Sequence, residues 1–110
     1  MAKCNHQILN PKNIHVHLVG AGIATMSAAV FLIRDVGVLG EHIHFYEQLP
    51  VEGGSLDGAR SPSADGYVTR GGRMLEDEAY VCLWNLLESI PTVGNPELTV
   101  RQEIAQFNRE

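Results

Sequence analysis

Basic residues are scarce in this 110-residue chain: eight Lys and Arg stand against thirteen Asp and Glu, for a net charge of -5. A nucleic-acid surface needs a basic stripe to neutralise phosphates, so that class of partner is excluded. Cysteine is equally thin. The two cysteines, Cys4 and Cys82, lie far apart with no C-x-x-C spacing, which rules out a disulfide framework and fits a reducing, cytoplasmic setting. Long apolar runs are missing too. The greasiest stretch, Ala24 to Ile33, falls well short of the roughly 20 residues that cross a bilayer. The opening Met1-Ala2-Lys3-Cys4-Asn5-His6 lacks the apolar segment of a signal peptide, and no internal repeat is visible. What is present is a 45% hydrophobic fraction, enough for a globular core in a chain of one domain at most.

Residues 1–13 are polar and read as a flexible leader. Ile14 to Val19 is β-rich and stops at Gly20, which predicts a strand. Ile23 to Val36 is almost wholly apolar or small and too long for a strand, so a buried helix is expected, closed by Gly37. A turn around Gly40 leads to a second strand, His42 to Glu47. Strand, helix and strand in this order predict a parallel βαβ unit. The expected fold class over residues 14–110 is therefore α/β: a Rossmann-like βαβ unit with an incomplete parallel sheet and C-terminal helices. Gln48 to Thr69 is rich in Gly, Pro, Ser and Asp and reads as a long functional loop. Met74 to Ile90 carries Leu75, Ala79, Cys82, Leu83, Leu86, Leu87 and Ile90 at helical spacing. Glu76, Asp77 and Glu78 would suit the first turn of such a helix, and Pro91 would stop it. Thr99-Val100-Arg101-Gln102 resembles a capping box opening a last helix through Phe107. With only two strands legible, the sheet is left uncovered, and the chain reads as the first part of a larger protein.

The chemistry concentrates at the strand-to-helix turn. In a dinucleotide fingerprint the first Gly makes the tight turn, the second admits a pyrophosphate, and a third small residue lets helix and strand approach. Gly20 and Gly22 meet the first two roles and Thr25 stands at the third. Phosphate charge would sit at the helix N-terminus. Glu47, at the end of the second strand, falls near the spacing of about 20 residues expected for an acid that binds a ribose hydroxyl. The plain alternative is an ordinary βα turn with a solvent-facing glutamate. Gly53-Gly54 favour FAD over NAD by offering close backbone approach shortly after that acid, although Gly pairs also mark loop tips. Arg70-Gly71-Gly72-Arg73, placed before the expected helix, offers two guanidinium forks for phosphate or carboxylate; a charged turn is the alternative.

His15, His17, His42 and His44 fall in pairs on single strand faces. A four-histidine metal site is conceivable, but coincidental strand histidines explain the pattern better and no metal is assigned. Trp84, Tyr80 and Phe107 are expected in the core or against a further domain. Cys82 reads as a buried small hydrophobe, and Cys4 as a free thiol in the leader.

Four blocks, G-A-G-I-A-T-M-S-A-A-V-F-L-I-R-D, G-G-S-L-D-G, D-G-Y-V-T-R-G-G-R-M-L-E and C-L-W-N-L-L-E-S-I-P, resemble in order the N-terminal region of the oleate hydratases. That family is also called the myosin-cross-reactive antigen family. The resemblance runs from about Ile14 to the C-terminus, and R-G-G-R after D-G-Y-V-T is its most specific part. It implies a flavoprotein that adds water to the cis double bond of an unsaturated fatty acid, oleate giving 10-hydroxystearate, with no net redox change. It implies FAD contacts at Gly20, Gly22, Thr25, Glu47, Gly53, Gly54 and Arg73, and substrate contact at Arg70. Many members place a water-activating glutamate directly after R-G-G-R, where this chain has Met74, which cannot act as a base; the catalytic residues are therefore unassigned. The resemblance also leaves room for a homodimer and for peripheral membrane contact of the longer protein. A flavin-dependent oxidoreductase fragment and a non-catalytic FAD-binding remnant are the alternatives.

Overall fold

The computed structural model describes residues 9–61, 63, 65–72 and 74–109. Of the residues singled out above, Cys4, His6 and Arg73 lie outside them. The chain divides into two compact units, Met1–Gly71 and Gly72–Glu110.

The first unit is built on a parallel strand pair. A 3-10 turn at Pro11–Asn13, capped by the Asn10 side chain on the Lys12 N–H, leads into β1, Val16–Val19. Val16 and Leu18 are half-buried while His17 and Val19 are exposed, the two-residue period of a half-covered sheet. The chain crosses through α1, Ile23–Phe31, and returns as β2, Ile43–Tyr46. β1 and β2 pair in parallel with Val16 opposite Ile43 and Val19 opposite Tyr46. The sequence-predicted helix over Ile23 to Val36 is thus observed, but its last turn widens to a π turn at Leu32–Val36. Gly37 closes it at φ 84°, and this left-handed cap is a place where a side chain would be strained. Both strands are shorter than expected, and His42 belongs to a 3-10 turn, Gly40–His42.

Two expectations for the middle of the chain fail. Gln48 to Thr69 is not structureless: a 3-10 turn at Gly54–Leu56 precedes β3, Gly58–Arg60, which pairs antiparallel with β4, Tyr67–Thr69. Among its described residues the unit therefore holds two separate two-stranded sheets, four strands where two were legible. Strands of three residues are too short to show an alternating pattern amid Gly, Pro and Ser.

The second unit is a helical hairpin. α2 spans only Val81–Glu88, not Met74 to Ile90, and α3 spans Val100–Phe107. The buried indole of Trp84 needs a partner for its N–H and finds it in the Glu76 carbonyl at 3.2 Å. Tyr80 leaves helical geometry at ψ 45°, so Glu76, Asp77 and Glu78 precede the helix and do not populate its first turn. The late start also rotates the buried face. Trp84 and Leu86 are buried with Leu83, Leu87 and Ile90 half-buried, while Cys82 is exposed, contrary to the reading of a buried hydrophobe. Tyr80 and Phe107 are exposed as well, leaving Trp84 as the aromatic of this core.

Between the helices the chain closes on itself through Thr92 N–H to the Leu98 carbonyl (2.8 Å) and Val100 N–H to the Ile90 carbonyl (2.9 Å). Arg101 lies over the Trp84 ring and reaches Glu88 at 3.5 Å. The capping box is formed: Gln102 N–H donates to Thr99 Oγ1 at 3.2 Å, and Thr99 N–H donates to Gln102 Oε1 at 2.9 Å. No helix among the described residues is long and apolar enough to cross a membrane. Thr99→Ala should lower the stability of this unit by about 1 kcal/mol. A urea titration followed by Trp84 fluorescence reads the change, and Thr99→Ser should stay near wild type.

Candidate functional site

The parallel pair ends where its chemistry begins. Gly20 N–H donates to the Tyr46 carbonyl at 2.8 Å, extending the ladder one step past β1. Gly20 itself sits at φ 88°, the left-handed conformation that turns the chain toward α1 without a Cβ penalty. The next residue, Ala21, is buried and donates its N–H to Glu47 Oε2 at 2.8 Å. Glu47 Oε1 accepts the Leu49 N–H at 2.9 Å. One half-buried carboxylate thus joins the turn after β1 to the turn after β2. Its carboxyl is held below the usual carboxylate range, first by the Leu49 N–H and then by the Ala21 N–H, both of which favour the ionised form.

The glycine pair closes the same corner. Gly53 N–H donates to the Ala21 carbonyl at 2.8 Å, and Gly53 bridges Gly22 in parallel. Gly53 and Gly54 both adopt positive φ, 109° and 62°. A Cβ on Gly53 would lie 2.9 Å from the Asp57 Cα, and one on Gly54 would lie 3.3 Å from the Gly22 Cα. The doublet is therefore required by a close passage of backbone over backbone. Gly22 caps α1 with no side-chain hydrogen bond, so the N–H groups of the first helical turn are not spent on a side-chain acceptor. Thr25 directs its hydroxyl back to the Gly22 carbonyl at 3.0 Å, which keeps that side chain folded along the turn.

These elements enclose a cleft of about 380 Å³ lined by Ala21, Met26, Phe45, Glu47, Leu49, Pro50 and Glu52. It opens at the carboxyl ends of the parallel strands, where ligands of open α/β sheets bind. Gly20, Gly22, Thr25, Glu47, Gly53 and Gly54 are thus brought to one corner, as their spacing suggested. Met26, Phe45 and Glu52 were missed; Glu52 sits in a turn-rich stretch where only its closeness to Gly53 hinted at it.

Arg70 is placed elsewhere, at the end of β4. Its Nε and Nη2 donate to the two oxygens of Asp57 at 2.6 and 2.8 Å. The pair holds the Asp57 carboxyl below the usual carboxylate range and raises the arginine. The expected helix start beside Arg70-Gly71-Gly72-Arg73 is absent, because the next helix begins at Val81. Met74 is 92% exposed. The histidines form a ladder across the open sheet: His42 to His15 at 4.0 Å between ring centroids, His15 to His44 at 5.8 Å, and His44 to His17 at 5.1 Å. His17 Nδ1 meets the Tyr46 hydroxyl at 2.8 Å. Among the described residues no cluster of three or more metal-ligating side chains forms.

Two outcomes follow from this geometry. Glu47→Gln removes the charge that serves two N–H groups, so the variant should be less stable than wild type at neutral pH. Because the folded carboxyl is depressed, the stabilisation is complete above the ordinary glutamate range, about pH 4.3, and is lost as pH falls through the depressed folded value. Melting curves from pH 7 to pH 3 should therefore show the two proteins converging. Separately, Gly53→Ala should cost on the order of 1–3 kcal/mol by urea titration. Gly66→Ala, where a Cβ meets nothing within 4 Å, should change little.

Comparison with known proteins places the whole of this geometry inside a family match. The MCRA family pattern matches residues 13–110. An oleate hydratase of Streptococcus pyogenes serotype M49 (strain NZ131) is 44% identical over 94 residues, covering 86% of this chain and 16% of that protein. A linoleate hydratase of Lactiplantibacillus plantarum is 38% identical over 104 residues, covering 83% of this chain and 18% of that protein. The chain thus spans less than a fifth of the length of these curated relatives. With nearly all of its sequence inside the match, this chain belongs to the MCRA family.

Proposed function

We propose that this chain is the FAD-binding N-terminal segment of a fatty acid hydratase that adds water to the cis double bond of oleate or a related unsaturated acid. The observation that carries the reading is the corner formed by Gly20, Ala21, Glu47 and Gly53 at the strand ends, in a chain 44% identical to an oleate hydratase. The residues suit the cofactor. Glu47 retains lone pairs beyond its two N–H partners, and Glu52 adds a second carboxylate to the cleft, so a ribose diol would find acceptors there. The uncapped start of α1 and the side-chain-free passage of Gly22 past Gly54 suit a pyrophosphate. These features support reading the parallel pair and its crossing helix as a Rossmann-like dinucleotide-binding βαβ unit.

Hydration is redox-neutral, so FAD when bound supplies shape and polarisation to the site without a net transfer of electrons. This chain's own part is to bind and orient. Gly22 and Gly54 would admit the phosphates, Glu47 would fix the ribose end, and Arg70 would meet an anionic group of the substrate. Water activation is not supplied by Met74, whose thioether cannot take a proton. That absence favours one second reading: taken alone, the chain is a non-catalytic flavin-binding module.

The purified chain mixed with FAD should retain a flavin absorbance band through gel filtration. Gly22→Leu should weaken FAD at least tenfold, about 1.4 kcal/mol, with an unchanged far-ultraviolet circular dichroism spectrum. Equal flavin retention by wild type and Gly22→Leu would sink the cofactor assignment. For the longer protein, oleate in heavy-oxygen water should give labelled hydroxy acid. Unlabelled product with reduced flavin would instead identify an oxidoreductase.

A further inference from the structure

We propose that Asp57 is a positioning residue: it holds Arg70 so that the β3–β4 hairpin presents a fixed guanidinium edge to the carboxylate of an amphipathic acid. The identity of that acid as a fatty acid rests on the reading above; the positioning role rests on geometry.

The pair is asymmetric. The Asp57 side chain is only 14% exposed, whereas that of Arg70 is 63% exposed. The carboxylate is therefore the anchor and the guanidinium the presented group. Asp57 engages Nε and Nη2 side-on, at 2.6 and 2.8 Å. A guanidinium carries five N–H donors, so a two-bond fork leaves three for a further acceptor. The hairpin is already joined by backbone pairing of Gly58 with Thr69 and Arg60 with Tyr67. Strand pairing thus has its own bonds, and the ion pair adds the direction of the arginine.

What lies beside that arginine is apolar. Val51, Ala59 and Val68, with Thr69, Asp57 and Arg70, line a cleft of about 320 Å³. Apolar walls with one cation at the edge match a carboxylate attached to a hydrocarbon tail better than a hydrophilic phosphate. Asp57 is also tied to the flavin corner by backbone alone. Ala21 accepts from Gly53 N–H at 2.8 Å, Gly53 accepts from Leu56 N–H at 3.1 Å, and Gly54 accepts from Asp57 N–H at 3.3 Å. The tight approach of Gly53 to Asp57 leaves that chain little slack. The position of Arg70 is in this way referred to the same turn that Glu47 holds.

The test uses the 110-residue chain, labelled with nitrogen-15, and octanoate as a soluble probe. In wild type the Arg70 Nε–Hε signal should be resolved and slow to exchange. Asp57→Ala should erase it and Asp57→Glu should restore it in part. Octanoate should shift the signal in wild type, and Asp57→Ala should weaken octanoate binding about tenfold. The same substitution made in an Arg70→Met background should have no further effect on binding. Equal weakening in both backgrounds would show a merely structural aspartate and overturn the proposal. A wild type that binds no octanoate would overturn it too, while flavin retention, measured separately, decides the cofactor reading independently. Acetate acting as strongly as octanoate would remove the role of the apolar walls and overturn the assignment to an amphipathic acid. A shift with FAD but not octanoate would assign the arginine to a flavin phosphate and overturn the carboxylate assignment.

Discussion

A parallel pair of four-residue strands gives the loops that follow it no reason to meet. In this chain one carboxylate supplies the reason: Glu47, at the end of β2, accepts the Ala21 N–H from the turn after β1 and the Leu49 N–H from its own turn. Hydrogen bonds to an ionised acceptor are stronger than neutral ones, and Ala21 is among the few buried residues described in the unit. With that corner closed, the Ala21 carbonyl is placed to receive Gly53, and the chain after β2 is drawn back across Gly22. The cleft at the strand ends, the glycine passage and the path to the hairpin all follow from this one junction.

The glycine doublet meets a structural requirement of its own. Gly53 and Gly54 hold positive φ and pass within side-chain exclusion distance of Asp57 and Gly22. They would be needed for the fold with no ligand at all. The same bare backbone is what the proposed pyrophosphate contact would need, so the structural requirement and the proposal make the same demand on these two positions. Arg70 carries a related lesson. A free guanidinium fork was expected, but the fold supplies an internal carboxylate first, and any ligand meets an arginine already oriented.

Family membership covers nearly the whole chain, yet the chain matches less than a fifth of its curated relatives. Large apolar side chains such as Val19, Tyr67, Val81 and Phe107 stand exposed, and no large side chain is fully buried among the described residues. The core of each unit is correspondingly small. Ala21, Ala29 and Val38 form one, and Trp84 and Leu86 the other.

The sequence by itself determined the features governed by local chemistry. The parallel strands, the crossing helix with its Gly37 stop, the positions of Gly20, Gly22 and Glu47, and the Thr99 capping box were all legible, because short-range sterics and backbone donors dictate them. Tertiary contacts decided the rest. Trp84 reached for the Glu76 carbonyl and delayed α2 to Val81, so a helical stripe read from Met74 misplaced Cys82 on a buried face. β3 and β4 exist because they pair with each other, a partnership that three residues of local pattern cannot announce. Asp57 and Arg70, thirteen residues apart, could be joined only once that hairpin had set its register. Nearest-neighbour physics writes turns, caps and amphipathic faces into a sequence; which donor finds which distant acceptor is settled by the fold.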